Sequence, residues 1–285
     1  MTQIDERPVL VTGGTGKTGR RVAARLAARG VAVRVAARSA EPGFEWADPD
    51  SWRPWLTGAR AVYIAYAPDL AADGAPEIVS AFAAAARKAG VERLALLSGR
   101  GEPEAQRAEA LLADGCVGAA DWTVLRAGWF VQNFSESFLL PGVQAGEIGL
   151  PVDPDSAVGE PFIDVEDIAD AAVAALCETG HAGRIYEMTG PRLLTLKEMI
   201  AETARAAGRP IRLTAIDPDA YRAALTAQGV PAETIELVIY LFGTILDGRN
   251  ARVCDGVRQA LGRPARDVSL YLEETAASGL WRRAA

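Results

Sequence analysis

Residues Pro8 to Gly19, PVLVTGGTGKTG, read as a strand running straight into a phosphate-cradling turn. Val9, Leu10 and Val11 make the short apolar run of a strand buried on both faces. Gly14, Gly16 and Gly19 follow at the spacing G-x-G-x-x-G, and Gly13 adds a fourth glycine. Arg20 to Arg29, rich in Ala and Arg with Val22 and Leu26 four apart, has helical periodicity, and Gly30 closes it. A second apolar run, Val31 to Ala37, completes a strand–helix–strand unit, the context that turns a weak glycine motif into a dinucleotide fingerprint. Glycines let the backbone approach a pyrophosphate closely, and the free N–H groups and positive end of the following helix stabilise its charge. The competing reading is a glycine-rich turn with no ligand. Gly16-Lys17-Thr18 also looks like the end of a triphosphate-binding loop. That loop places its first glycine where this chain has Val11, so the dinucleotide pattern fits better.

The end of the second strand discriminates between cofactors. A free ribose 2′-hydroxyl is met by an acid about twenty residues beyond the glycines, whereas a 2′-phosphate needs a cation. Here the strand closes with Ala36-Ala37-Arg38-Ser39, and no acid appears until Glu41. Arg38 can pair with a 2′-phosphate and Ser39 can add a hydroxyl, so NADP(H) is preferred and NAD(H) stays open; a solvated Arg is the plain alternative.

Composition bounds the function. The 285 residues suffice for one large or two modest cores, and a formal net charge of −7 argues against nucleic acid or an anionic membrane as partner. Three scattered cysteines, Cys116, Cys177 and Cys254, give no disulfide frame or zinc spacing. The sole histidine, His181, is expected at the surface, and no His-based metal cluster or triad can form. The polar start Met1 to Arg7 is not a signal peptide and no apolar run is long enough to span a bilayer, so a cytoplasmic protein is expected, monomeric or homodimeric.

Strands and helices then alternate. Ala61 to Ala67, Leu94 to Leu97, Trp122 to Leu125 and Arg184 to Met188 read as strands, a further short strand is expected before Asp48, and Phe162-Ile163 begins another. Glu77 to Ala89, Glu104 to Ala113 and Asp164 to Cys177 read as helices between them. The pattern predicts an α/β fold, a Rossmann-type doubly wound parallel sheet. After Gly190 it changes to helices: a capping box at Thr195 to Glu198 opens one that stops at Gly208, and Ala220 to Gln228, Pro231 to Leu246 and Val268 to Ser278 follow. The expected organisation is one domain over residues 1–285 with a small, mainly helical C-terminal region. Segments at about 131–160 and 191–285 would cover the substrate, at the carboxyl edge of the sheet.

At this point several motifs resemble a known family. Thr12 to Gly19, Leu96-Leu97-Ser98, Trp122 to Arg126, Gly128-Trp129-Phe130 with Asn133-Phe134, and Asp164 to Ala169 look like the NmrA-like branch of the atypical short-chain dehydrogenase/reductases. So do Thr189-Gly190-Pro191 to Glu198, Ala207-Gly208-Arg209 and Leu261 to Pro264, particularly the subgroup of ergot-alkaloid reductases of the festuclavine dehydrogenase type and their bacterial relatives. The likeness covers nearly the whole chain and implies a Rossmann fold, NADP(H) binding and often a hydride transfer. Ser98 matches the family's catalytic serine. The Tyr-x-x-x-Lys that typically follows has no counterpart, because neither Tyr nor Lys occurs between Ser98 and Arg126. Arg107 and Glu109 lie on that helix instead and read as a solvated face, and Ala127 stands where the family often has Pro.

This absence restricts the chemistry. Reducing a simple ketone creates a basic alkoxide that calls for a positioned acid. An iminium ion needs none and a quinone needs little, and a conjugated enone is a third activated acceptor. The expected activity is hydride transfer from NADPH to such an activated acceptor, an aromatic or heterocyclic small molecule; the alternative is an NADP(H)-binding redox sensor without catalysis.

The cofactor-binding candidates are Thr12, Gly13, Gly14, Thr15, Gly16, Lys17, Thr18, Gly19, Arg38, Ser39, Asp48, Ala65, Tyr66, Ala67 and Ser98. Asp48 matches a family position near the adenine or starts a turn at Pro49. Ser98 and Tyr66 are the catalytic candidates. Tyr66 could stack on cofactor or substrate or donate a proton, and is equally a buried aromatic; Ser98 could bond an acceptor oxygen or cap a turn. Trp129, Phe130, Asn133 and Phe134 suit a flat apolar substrate, or are plain core. Asp167 reads as a helix cap, and no metal ligand set is seen.

Overall fold

The computed structural model of the protein describes residues 6–116, 121–136 and 138–282. In chain order its strands are β1 (Val9–Val11), β2 (Val33–Val35), β3 (Ala61–Ile64), β4 (Arg93–Gly99), β5 (Asp121–Ala127), β6 (Glu147–Leu150), β7 (Gly159–Glu160), β8 (Arg184–Met188), β9 (Leu194–Thr195) and β10 (Arg212–Ala215). The chain divides into two compact units.

The first unit comprises Met1–Ala127, Val165–Met188 and Asp255–Arg263. Its six-stranded sheet has the order β2-β1-β3-β4-β5-β8, and every pairing is parallel. Because side chains alternate across a strand, Leu10, Val62, Ile64, Leu94, Leu96 and Val124 share one face. There they pack with Val79 and Phe82 of the helix Ala75–Lys88 and with Ala105 and Leu112 of the helix Pro103–Cys116. The helices Lys17–Ala28 and Val165–Cys177 pack together and carry an ion-pair belt. Arg21 reaches Glu166 at 2.5 Å, Arg25 pairs with Glu166 and Asp170, and Arg263 reaches Asp167 and Asp170 at 2.6 Å each. The sheet is therefore the doubly wound Rossmann type that the alternation of elements implied.

The second unit comprises Gly128–Asp164, Thr189–Cys254 and Pro264–Ala285. Phe134, Phe162, Met199, Phe242, Tyr271 and Trp281 are among its core residues, and the Trp281 indole donates to the Phe134 carbonyl at 2.9 Å. The capping box forms as expected: Thr195 N–H donates to Glu198 Oε2 at 2.8 Å and Glu198 N–H to Thr195 Oγ1 at 3.1 Å.

Several local expectations are corrected. The strand expected before Asp48 does not form: residues 37–48 are irregular, closed by Phe44 N–H to Ala37 O and Asp48 N–H to Glu45 O at 3.2 Å each, and Ala61–Ile64 takes the place beside β1. β3 stops at Ile64, not Ala67, because the Ala65 N–H bonds the Thr12 hydroxyl and no strand partner. Phe162-Ile163 makes a single bridge, Ile163 to Phe130; preceding Pro161 has no N–H to extend a ladder, and the short strand is β7, antiparallel to β9. The helix expected from Pro231 to Leu246 is α-helical over Ala232–Tyr240 and continues as a π turn, Leu241–Ile245. β6 and β10 pair in parallel and went unseen, β10 in the C-terminal region read as helical and β6 in the segment 131–160, for which no strand was expected. His181 is buried, its ring 2.9 Å from the Tyr186 hydroxyl, and burial lowers its basicity. Asp167 is not a cap but lies inside the first turn, paired with Arg263.

Candidate functional site

At the end of β1, Thr12 laces two strands together. Its N–H donates to Tyr63 O at 3.0 Å, its hydroxyl donates to the same oxygen at 3.1 Å, and Oγ1 accepts the Ala65 N–H at 3.0 Å. β2 lies on one side of β1 and β3 on the other, so the chain reverses its winding there. The crevice outside the carboxyl ends at such a switch point is where doubly wound sheets hold ligands.

Backbone proximity dictates the glycines. Gly13 has φ +60°, and a Cβ on it would lie 3.0 Å from Ala65 O. A Cβ on Gly14 would overlap the Val35 side chain, and one on Gly19 would fall on the Gly13 carbonyl oxygen. Gly16 closes the turn, its N–H donating to Gly13 O at 2.9 Å, and is the N-cap of the helix Lys17–Ala28. Among the described residues no side chain caps that helix and its first turn holds no acid. The open amides and positive helix end fit a diphosphate. Thr15 and Gly16 are exposed, Lys17 is half-buried and Thr18 is buried.

Arg38 and Ser39 are exposed just beyond β2, whose end is tied to β1 by Ala36 N–H to Val11 O at 2.9 Å. Among the described residues Arg38 has no ion-pair partner. Asp48 is exposed and caps the turn Pro49–Trp52, accepting the Asp50 N–H at 3.1 Å. Tyr66 is half-buried, its ring 5.0 Å from that of Trp46; Ala65 is half-buried and Ala67 exposed.

Ser98, near the end of β4, is buried and donates to Glu109 Oε1 at 2.6 Å. Glu109 is itself only 3% exposed, which corrects its reading as part of a solvated face. Arg126 grips it through both carboxylate oxygens and also reaches Glu187 at 3.0 Å, while Arg100 stands 3.5 Å from Glu187. Arg107 is exposed as expected, pairing with Glu77 and Glu104. Nearby, burial pushes the Glu102 carboxyl up to about 9, with the charges of Asp69 and Glu109 adding to the effect. Sequence reasoning missed Glu102 and Asp69, since neither belongs to a motif.

In the second unit Trp129, Phe130, Asn133 and Phe134 line one cavity of about 240 Å³. Its other aromatic walls are Phe162 and Phe242, and the Trp129 and Phe242 rings lie 5.0 Å apart. The lining holds two acids, Asp153 and Glu160, against one cation, Lys197, which is paired with Asp155 at 2.6 Å. Glu160 is 2% exposed. Phe162, Glu160 and Phe242 were not foreseen as site residues; only the aromatic run from Trp129 carried a signal. Among the described residues no group of three or more His, Cys, Asp or Glu could hold a metal ion, and no helix is long and apolar enough to cross a membrane.

Comparison with known proteins supplies the family. A family model described as NAD(P)H-binding matches residues 13–111. The chain is 34% identical to the (4-alkanoyl-5-oxo-2,5-dihydrofuran-3-yl)methyl phosphate reductase of Streptomyces griseus, over 90% of this chain and 94% of the relative. It is 26% identical to the agroclavine dehydrogenase of Claviceps fusiformis, over 93% of this chain and 96% of the relative. In fold it resembles the crystal structure of Citrobacter sp. triphenylmethane reductase complexed with NADP(H), with TM-score 0.70 and 18% identity over 95% of this chain and 99% of that one. With its glycine turn at the switch point of a doubly wound sheet, the chain belongs to the NmrA-like branch of the atypical short-chain dehydrogenase/reductases and is an NAD(P)H-dependent oxidoreductase.

Proposed function

We propose that the protein uses NADPH to reduce an activated, uncharged or cationic conjugated acceptor, a quinone, an iminium ion or an enone, held in the aromatic cavity of the second unit. The observation that carries this reading is the state of Ser98 and Glu109. The helix Pro103–Cys116, where a Tyr–Lys pair would stand in relatives that reduce ketones, presents a buried carboxylate already gripped by Arg126. The Ser98 proton is committed to that carboxylate. Neither group offers a proton to an alkoxide. The reduced nicotinamide supplies a hydride, two electrons and one proton's nucleus, to the acceptor. An iminium ion is neutralised by it, a quinone becomes a weakly basic hydroquinone anion that water protonates, and an enone becomes an enolate that takes its proton at carbon from water.

Residues Gly13 to Gly19 bind the diphosphate with Thr12 anchoring the turn, Arg38 with Ser39 reads the 2′-phosphate, and Ala65 to Ala67 with Asp48 border the rest of the dinucleotide. Substrate cover is assigned to segments 131–160 and 191–285. The Streptomyces relative is named for a phosphate ester of an unsaturated lactone. Here the acidic excess of the cavity lining disfavours such an anion and favours an acceptor without negative charge.

NADPH oxidation measured with matched quinones, cyclic iminium ions, cyclohexenone and cyclohexanone tests the proposal. The ketone should turn over at least about a hundredfold more slowly than the activated acceptors. Equal turnover of the ketone would refute the reading, and tight NADPH binding with no turnover of any acceptor would favour a sensor.

A further inference from the structure

Trp129, Phe130, Asn133 and Phe134 form one wall of the aromatic cavity, and the polar groups of this stretch are spent on the fold with one exception. Trp129 O accepts the Ile163 N–H at 2.8 Å and Val131 N–H donates to Ile163 O at 3.0 Å, which pins the stretch in place. Gln132 is buried, and its Nε2 donates to Asp164 Oδ1 at 2.6 Å, a carboxylate that Arg266 also holds at 2.7 Å. The Phe134 carbonyl accepts the Trp281 indole at 2.9 Å, and the buried Ser135 hydroxyl turns back to Gln132 O. Asn133 is the exception. Its N–H donates to Phe130 O at 3.1 Å, but its half-buried carboxamide makes no hydrogen bond among the described residues.

The rest of the polar lining is committed or acidic. Lys197 is held by Asp155 at 2.6 Å, the Ser156 oxygen accepts the Val158 N–H at 3.3 Å, and Asp153 Oδ1 accepts the Asp155 N–H at 2.9 Å. No partner fixes the orientation of the Asn133 amide, so its NH2 can turn to a ligand. In an aromatic wall such a neutral donor answers an oxygen acceptor, and the bond strengthens as that oxygen gains charge. When hydride adds to the conjugated carbon of an enone, a C–H bond forms, the π pair moves along the conjugation and the carbonyl oxygen becomes negative. In a quinone the same two electrons also end on oxygen. With Asp153 and Glu160 in the same lining, that growing charge needs a donor beside it. An iminium ion carries no such oxygen and ends neutral.

We propose that Asn133 is a catalytic residue, donating its Nδ2–H to the carbonyl oxygen of a conjugated acceptor and so favouring quinones and enones over iminium ions. Asn133 keeps its proton throughout, and water supplies the one the product needs. This rests on the reading that the acceptor occupies the aromatic cavity.

The test compares naphthoquinone, cyclohexenone and a cyclic iminium ion as acceptors for the wild type, Asn133→Ala, Asn133→Asp and Trp129→Leu. Calorimetry reads naphthoquinone binding to each protein without NADPH. Asn133→Ala should lower kcat about a hundredfold for the two carbonyl acceptors. It should weaken quinone binding only about fivefold, and change turnover of the iminium ion less than about threefold. Asn133→Asp, of the same shape, should lose at least as much with the carbonyl acceptors and nothing with the iminium ion. Removing the Asn133 side chain orphans no group, so the Ala variant should fold; if it does not, the Asp variant decides by the same contrast. Equal losses for carbonyl and iminium acceptors, or undiminished kcat for the carbonyl acceptors, overturn the inference. So does a wild type that turns over the iminium ion alone. Trp129→Leu separates the inference from the reading beneath it. If that variant alters the acceptors and the Asn133 variants do not, Asn133 alone is misassigned; if none of the three alters any acceptor, the acceptor does not sit in this cavity and both fail.

Discussion

Replacing Arg38 by aspartate reverses the charge just past the end of β2 while disturbing little else. Arg38 is exposed and, among the described residues, pairs with no acid, so its removal orphans no buried group and the folded state should hold within about 0.5 kcal/mol. A charge-assisted contact to a phosphate contributes about 2 kcal/mol. Placing a carboxylate there adds roughly 1 kcal/mol of repulsion in the high dielectric of the surface. The sum, about 3 kcal/mol, corresponds to roughly a hundredfold weaker NADPH binding. NADH lacks the 2′-phosphate, and its affinity should move less than about threefold. Fluorescence titration of both nucleotides at low and at high salt reads this directly. The wild-type preference for NADPH should shrink with salt, because an exposed pair is screened. Equal losses for the two nucleotides would mean that Arg38 does not read the 2′-phosphate.

Three further outcomes follow from the same geometry. Gly13→Ala places a side chain at φ +60° against Ala65 O, a strain of about 1–2 kcal/mol that the turn must relieve by opening; NADPH titration should show about tenfold weaker binding, and unchanged affinity would contradict the close-approach argument. Glu160→Gln removes an acid from the cavity lining, so kcat/KM for a cationic acceptor should drop about tenfold while a neutral quinone changes less than about threefold. Glu102 holds its proton in the folded chain up to about pH 9, whereas the unfolded chain releases it near its ordinary value of about 4.3. The stabilising protonation is thus fully present below about pH 4 and is lost as pH rises through 9, by at most about 1.4 kcal/mol per pH unit. Thermal melting should show a steeper decline from pH 5 to pH 9 in the wild type than in Glu102→Gln.

The parts of the fold legible in the sequence were those carried by local pattern. The glycine spacing after Val11, the alternation of apolar runs with Ala-rich helices, and the capping box at Thr195 and Glu198 each state their geometry within a few residues. What escaped was set by partners far apart in the chain. Glu109 reads as a surface acid on an amphipathic helix until Ser98 and Arg126 arrive from two strands to bury it. β6 and β10 are four residues each and are strands because they pair with one another, 65 positions apart in register. Asp69 and Glu102 stand on different loops, so no spacing announces that burial raises both carboxyls. The aromatic run from Trp129 marked one wall of the cavity, while Phe162 and Phe242 join it only through folding.

The central claim is that the backbone amides between Gly13 and Gly19 hold a dinucleotide diphosphate at the switch point of the sheet. Calorimetric titration of the protein and of Gly19→Val with NADPH tests it most directly, since a side chain at Gly19 would displace the Gly13 carbonyl and deform the turn. Saturable 1:1 heat in the wild type that disappears in a folded Gly19→Val variant is the predicted result. No saturable heat in the wild type, or undiminished binding by the variant, would contradict it.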